Sequence, residues 1–249
     1  MKKKIVILGS TGSVGSKTFE IIKKDRKNFQ VVLLSTYSNL DKIFSQAEEL
    51  NVKNIIINDL KTFEKAKKKI NIKKINIFNK FEDINTILNK HKIYYSMVSV
   101  STLEGLKPTI ILSKYSRNLA VVNKESIICG WNLIKKKLDK YNTKFIPVDS
   151  EHFSVWYSIH RDDLNSYNID KIILTASGGS LLNFSKKKIS NIKIKDVLKH
   201  PNWKMGSKIT VDSSTLMNKV FEVIEAKNIF NVSFDRISVI IHPSSYVHA

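Results

Sequence analysis

The sequence predicts an α/β protein: an N-terminal doubly wound parallel sheet followed by an α+β region. Three observations predict it. Over residues 1–149, short apolar runs alternate with longer stretches of helical period, the pattern of parallel strands covered on both faces. A glycine-spaced loop, Gly9-Ser10-Thr11-Gly12-Ser13-Val14-Gly15, follows the first run and opens the first helix. From residue 150 the order becomes less regular and carries its own glycine pair, Gly178-Gly179. The expected domains are therefore 1–149, a nucleotide-binding sheet, and 150–249, a metal- and substrate-binding region.

Taken in order, Lys4 to Leu8 reads as a strand and Ser13 to Arg26 as a helix with an apolar face at Val14, Thr18, Ile21 and Ile22. Strands follow at Gln30 to Leu34, Asn54 to Ile57, Lys74 to Phe78, Ile93 to Val98, Leu119 to Val122 and Lys144 to Val148. Helices lie between them at Asp41 to Leu50, Lys61 to Lys69, Phe81 to Lys90, Leu106 to Tyr115 and Lys124 to Lys140. Beyond the change of pattern, Ser150 to Arg161 reads as helix, Lys171 to Thr175 as strand and Ala176 to Asn183 as loop. Lys195 to His200 is a short helix, Lys208 to Val211 a strand, Asp212 to Lys227 a helix capped by Asp212-Ser213-Ser214, and Ile237 to Ile241 a closing strand.

Composition narrows the class. With 249 residues, 42% hydrophobic, the chain can bury a core. No apolar run approaches the roughly 18 residues of a membrane span. Cys129 is the single cysteine, which excludes an intrachain disulfide and suits a reducing cytoplasm. The formal charge of +20 raises an RNA-associated reading. It comes from 38 Lys and 4 Arg, with the Lys clusters scattered among helices and loops, whereas base reading and bidentate phosphate contacts favour Arg. Solvated faces account for it, and no nucleic-acid partner is expected.

The first loop has the context of a dinucleotide fingerprint, with glycines for the tight turn and a helix N-terminus for the pyrophosphate, although its spacing is G-x-x-G-x-x-G. The second strand ends Leu34-Ser35-Thr36-Tyr37-Ser38-Asn39, without the acid that would bind a ribose 2′-hydroxyl. That tilts the expectation to NADPH, with Ser38, Asn39 and Lys42 left to meet the 2′-phosphate. In Pro147-Val148-Asp149-Ser150-Glu151-His152, two carboxylates follow a buried strand at i and i+2. A divalent cation would relieve their repulsion, and oxygen ligands suit Mg²⁺ or Mn²⁺. Glu222 offers a third oxygen, on one helix face with Asn218 and Lys219. The alternative is helix capping by Asp149 and Glu151, with Glu222 on a solvated stripe. Ser177-Gly178-Gly179-Ser180 offers N–H groups and hydroxyls for an anion. His200-Pro201-Asn202-Trp203-Lys204-Met205-Gly206 has the make-up of a lid, against which stands a surface helix-end histidine. His242 and His248 match no zinc spacing with Cys129 and read as structural or surface residues. His91 and His160 carry no assignment.

Together with Asn123-Lys124-Glu125-Ser126 and Val211-Asp212-Ser213-Ser214-Thr215-Leu216-Met217-Asn218-Lys219, these motifs resemble the 1-deoxy-D-xylulose 5-phosphate reductoisomerase family along essentially the whole chain. The resemblance implies isomerisation of that sugar phosphate and its NADPH-dependent reduction to 2-C-methyl-D-erythritol 4-phosphate, in non-mevalonate isoprenoid synthesis. It implies Asp149, Glu151 and Glu222 as ligands of Mg²⁺, Mn²⁺ or Co²⁺, and these with Lys124 and His200 as the catalytic set. Substrate contacts would come from Lys124, Ser150, Glu151, Ser177, His200, Ser213, Asn218, Lys219 and Glu222, under a lid containing Trp203 and Met205. Thr11, Gly12, Ser13, Val14, Asn39, Asn123, Glu125 and Gly206 would hold the cofactor. A cytoplasmic homodimer without membrane contact is implied as well. Three departures stand out: Tyr37-Ser38 where the family has a glycine and a basic residue, Thr102 and Glu104 where it has small residues, and an end at Ala249 where it continues into a C-terminal helical domain. The last makes a truncated, non-catalytic NADPH-binding remnant the alternative expectation.

Overall fold

Residues Ile5 to Leu8 have no polar side chain among them, and all four are buried at the centre of a sheet. Removing each from water contributes about 1.5–3 kcal/mol. They belong to β1 (Lys3–Leu8), the first strand of a computed structural model that describes residues 1–69, 75–89, 91–159, 169–198 and 207–249. The chain divides into two compact units, Met1–Val148 and Asp149–Ala249.

In the first unit, β1 is followed by α1 (Ser13–Lys24), β2 (Phe29–Thr36), α2 (Leu40–Glu49), β3 (Asn54–Ile57), α3 (Leu60–Lys69) and β4 (Asn76–Phe78). Then come α4 (Ile84–Leu88), β5 (Ile93–Val98), α5 (Leu106–Leu112), β6 (Ser116–Val121), α6 (Lys124–Tyr141) and β7 (Lys144–Pro147). The seven strands are parallel in the order β4-β3-β2-β1-β5-β6-β7. This is the predicted doubly wound sheet, and its order reverses at β1 and β5, where such sheets open a ligand crevice.

Local differences have local causes. The buried stripe of α1 is Gly15, Phe19 and Ile22, while Ile21 is exposed. Spacings of four and three keep that stripe on one face, and Ile21 falls outside it. The helix expected over Phe81 to Lys90 begins as a 3₁₀ turn, Phe81–Asp83, before α4. β6 starts at Ser116, earlier than its apolar run, because the Ser96 and Ser116 hydroxyls bond each other at 2.7 Å inside the sheet. A polar pair satisfied in this way can be buried.

In the second unit, α7 (Ser150–Ser158), β8 (Ile172–Ala176), α8 (Lys186–Ile189), α9 (Ile194–Val197), α10 (Ser207–Ser214), α11 (Met217–Phe230) and β9 (Ile237–Ile241) follow one another. β8 and β9 pair in parallel. The strand expected at Lys208 to Val211 is instead part of α10, and the long helix begins at Met217 rather than Asp212. Two apolar residues among polar neighbours cannot fix a period. Ser214 Oγ bonds the Val211 carbonyl at 2.7 Å and Thr215 Oγ1 the Asp212 carbonyl at 3.3 Å, so these hydroxyls close α10. Leu216 then takes a left-handed conformation, φ 59°, and separates the two helices.

Candidate functional site

In the first unit, the glycine loop is held from three sides by neutral groups. Gly9 N–H donates to Ser35 Oγ at 2.8 Å, Ser10 N–H to the Ser35 carbonyl at 2.9 Å, and the Thr11 and Thr36 hydroxyls bond at 2.7 Å. From α2, buried Gln46 grips Ser10 twice: Ser10 Oγ donates to Gln46 Oε1 at 2.7 Å, and Gln46 Nε2 donates to the Ser10 carbonyl at 3.0 Å. A Cβ on Gly15 would lie 2.2 Å from the Gly9 carbonyl oxygen, so only glycine lets α1 approach the loop. Gly12 is the N-cap of α1 and supplies no capping oxygen, and no acid stands in the first turn. Asn39 and Asn123, by contrast, cap α2 and α6 with their side chains. The N–H groups opening α1, beside exposed Gly12 and Ser13, are thus left for an external oxyanion. These residues fit the pyrophosphate of a dinucleotide.

Asn123, expected at the cofactor, is tied into the fold by its own side chain. It is buried; its Oδ1 accepts from Ser126 N–H at 2.5 Å, and its Nδ2 donates to the Val100 carbonyl at 3.0 Å and to the Thr102 carbonyl. It clamps the segment after β5, where Thr102 adopts φ 61°. Lys124 and Glu125 follow in the first turn of α6, both half-buried.

In the second unit, Asp149 caps α7, accepting from Glu151 N–H at 3.3 Å. Capping does not preclude the metal reading. Asp149, Glu151 and Glu222 each offer a carboxylate oxygen within 4.8 Å of the others. Glu222 is 1% exposed rather than on a solvated stripe. Lys219 lies between two of these acids: its Nζ is 2.9 Å from Glu151 Oε1 and also pairs with Glu222 Oε2. Burial alone would lower the Lys219 pKa, but the charges of Glu222 and then Glu151, with their hydrogen bonds, outweigh it and hold the ammonium above its usual 10.5. Asn218 Nδ2 donates to Glu222 Oε1 at 2.5 Å, and Ser150 Oγ to Glu151 Oε2 at 2.7 Å. An all-carboxylate oxygen set of this reach fits a hard divalent cation.

Two family descriptions match the sequence: 1-deoxy-D-xylulose 5-phosphate reductoisomerase over residues 5–130, and the C-terminal domain of that enzyme over residues 145–230. The chain belongs to the 1-deoxy-D-xylulose 5-phosphate reductoisomerase family. The second match overlaps residues 150–249, the expected metal- and substrate-binding region. The curated reductoisomerase of Pelagibacter ubique is 52% identical over 99% of this chain, and that of Thermotoga maritima 39%. The chain spans 63% and 62% of their respective lengths. A crystal structure of a reductoisomerase with NADPH, fosmidomycin and magnesium superposes with a TM-score of 0.89 at 31% identity, covering 99% of this chain and 62% of that one. The Zymomonas mobilis enzyme with NADPH gives 0.87 at 26%, covering 100% and 63%.

Within the second unit the structure gathers much of the reductoisomerase motif set. Gly179, at φ +71°, lets the loop after β8 approach α10, where a Cβ would meet the Ser213 carbonyl at 2.4 Å. The segments bearing Ser177 and Ser213 are thereby joined, with Ser177 Oγ accepting from Gly179 N–H at 3.4 Å. Lys219, expected on a phosphate, is engaged by Glu151 and Glu222, because buried carboxylates demand a counter-charge. His200, Trp203, Met205 and Gly206 lie outside the described residues, as does His160.

Three residues in the cluster were missed in sequence. Fully buried His152 donates from Nε2 to the Glu222 carbonyl at 2.9 Å, while its Nδ1 lies 3.4 Å from Asp149 Oδ1 and 4.0 Å from Glu225 Oε2. Asp149, His152 and Glu225 form a second group of ligand type within 4.8 Å. Glu225 stands three residues after Glu222 on α11, a spacing that could have drawn attention to it. His248 Nδ1 is 4.0 Å from Glu151 Oε2. Nothing local predicts that contact: it follows from parallel pairing of β8 and β9 and from Thr175, whose N–H donates to the His248 carbonyl at 3.1 Å.

Proposed function

We propose that this chain carries the cofactor, metal and substrate sites of an enzyme that converts 1-deoxy-D-xylulose 5-phosphate to 2-C-methyl-D-erythritol 4-phosphate with NADPH. The observation that carries the proposal is the convergence of Asp149, Glu151 and Glu222 within 4.8 Å, in a chain of this family. Magnesium and NADPH in the related crystal structure support the cofactor choice. When bound, NADPH supplies the hydride and a divalent cation supplies Lewis acidity toward the sugar's vicinal oxygens. Thr11, Gly12, Ser13 and Val14 receive the dinucleotide phosphates at the α1 N-terminus, and Asn39, Asn123, Glu125 and Gly206 complete the cofactor site. Asp149, Glu151 and Glu222 hold the cation, and Ser150, whose hydroxyl donates to Glu151, contacts the substrate. Ser177, Ser213, Asn218 and Lys219 donate to the substrate phosphate, with Lys219 shared with the carboxylates. Lys124 and His200 contact the reacting sugar, and Trp203 and Met205 belong to a cover that excludes water. On this reading residues 1–149 are the NADPH-binding domain, and residues 150–249 the catalytic one.

Among the described residues no helix is long and apolar enough to cross a membrane. The reading places the protein in the cytoplasm as a homodimer. Its test is Mn²⁺-dependent NADPH oxidation with the purified sugar phosphate. Asp149→Asn should abolish turnover while leaving NADPH affinity within about twofold; undiminished turnover in that variant removes the ligand assignment. NADPH binding without metal-dependent turnover in the unaltered chain would reduce the reading to dinucleotide binding.

A further inference from the structure

The loop after β2 poses a charge problem that the structure answers. In a doubly wound sheet a dinucleotide lies across the switch point, with pyrophosphate at the first helix and the adenosine ribose at the end of the second strand. The 2′-substituent therefore meets whatever follows β2. Here that is Tyr37, Ser38 and Asn39, with neither a carboxylate for a hydroxyl nor a cation for a phosphate. Asn39 is committed: its Oδ1 accepts from Lys42 N–H at 3.1 Å and caps α2.

Lys42, in the first turn of α2, reaches back across this gap, and its Nζ donates to the Thr11 carbonyl of the glycine loop at 3.1 Å. One helical turn later, Gln46 makes its reciprocal buried bonds to Ser10. Positions i and i+4 share a helix face, so both residues project from α2 onto consecutive residues of one loop. The buried Gln46–Ser10 pair fixes the approach of α2 and thereby where the Lys42 ammonium stands. An ammonium has three N–H donors, and the contact with Thr11 uses one. Asp41, the adjacent residue, points elsewhere, since neighbouring helix positions do not share a face.

We propose that Lys42 is the specificity-determining residue for the cofactor, supplying the cation that selects a 2′-phosphate over a 2′-hydroxyl where the loop after β2 lacks one. The proposal rests on the NADPH reading above. A charge-assisted bond of this kind is worth roughly a tenfold to hundredfold preference, and because Lys42 is exposed the preference weakens with salt.

The test titrates NADPH and NADH separately into the 249-residue chain, without substrate, following nicotinamide fluorescence. The unaltered chain should favour NADPH. Lys42→Ala should lose about tenfold or more in NADPH affinity and leave NADH unchanged, and Lys42→Arg should retain the preference. A Lys42→Ala variant that weakens both dinucleotides alike, or neither, overturns the assignment while the cofactor reading stands. Loss of preference in Ser38→Ala with none in Lys42→Ala does the same. If the unaltered chain binds neither dinucleotide, the cofactor reading itself falls, and this proposal with it.

Discussion

The glycine loop of the first unit and the carboxylate cluster of the second are both built to receive charge, but by opposite means. The loop is held mainly by neutral groups, among them Ser10, Ser35, Thr36 and Gln46, with the Lys42 ammonium on the Thr11 carbonyl, and its backbone N–H groups open an uncapped helix toward an anion. Assembling it brings no like charges together. The cluster gathers Asp149, Glu151, Glu222 and Glu225 around Lys219 and His152, and several of these are almost wholly buried. Charges removed from water in this way require compensation at every position. The first site can be shaped before its ligand arrives. The second is held in balance by its own cation, and that balance is where it can be broken.

The largest effect is therefore expected at Lys219. Lys219→Met keeps the length of the side chain and removes the ammonium that pairs with Glu151 and buried Glu222. Breaking a buried pair from one side costs about 3–5 kcal/mol. Hydrogen exchange should show α7 and α11 opening while α1 and α2 keep their protection. Added Mn²⁺ should raise the melting temperature of the variant more than that of the unaltered chain, because the cation takes over the lost charge. Equal shifts would mean that the cluster is not organised by charge, and the comparison would fail.

A smaller effect, of another kind, is expected at Gly15. Gly15→Ala drives a methyl toward the Gly9 carbonyl, which is backbone and cannot swing aside. Overpacking of this type costs about 1–3 kcal/mol. Isothermal titration should show NADPH affinity falling at least tenfold with Mn²⁺ affinity unchanged. Loss of both would show that the two sites do not behave as separately built devices.

The same contrast explains what could be read in the sequence. β1, β3 and β5 were legible because a buried parallel strand is a short apolar run, and Ile5 to Leu8 allow no other use. The loop was legible because each part of it is local: strand end, glycines and helix start are contiguous. Glu222 could be reached from Asn218 and Lys219, since all three share one face of α11. The boundary between α10 and α11 could not be read, because it turns on the left-handed Leu216, a residue type with no preference for that conformation. His152 adjoins Glu151 in sequence, but its contact with Glu222, 70 residues away, was not legible, nor was that of His248 with Glu151, which follows from a strand pairing that no local period encodes.

The smallest expected effect is a dependence on pH that only one of the two sites should show. Lys219 has its folded pKa raised above 10.5, by Glu222 and then Glu151 acting against burial. A group raised on folding binds its proton more tightly in the native state. Its stabilisation is thus complete below the unfolded pKa and is lost as pH rises through the folded one. In urea unfolding, the stability advantage of the unaltered chain over Lys219→Met should stay constant from pH 7 to about 10 and narrow above 10.5. Its advantage over Gly15→Ala should not change across that range, because the contacts at stake there belong to hydroxyls, an amide and backbone. Taking differences between variants removes the titration of the many surface lysines, which all the proteins share. If the Lys219 advantage already faded near pH 8, the ammonium would be losing its proton far below its free value, as burial without effective counter-charges would cause. The carboxylates would then not be the groups that hold it.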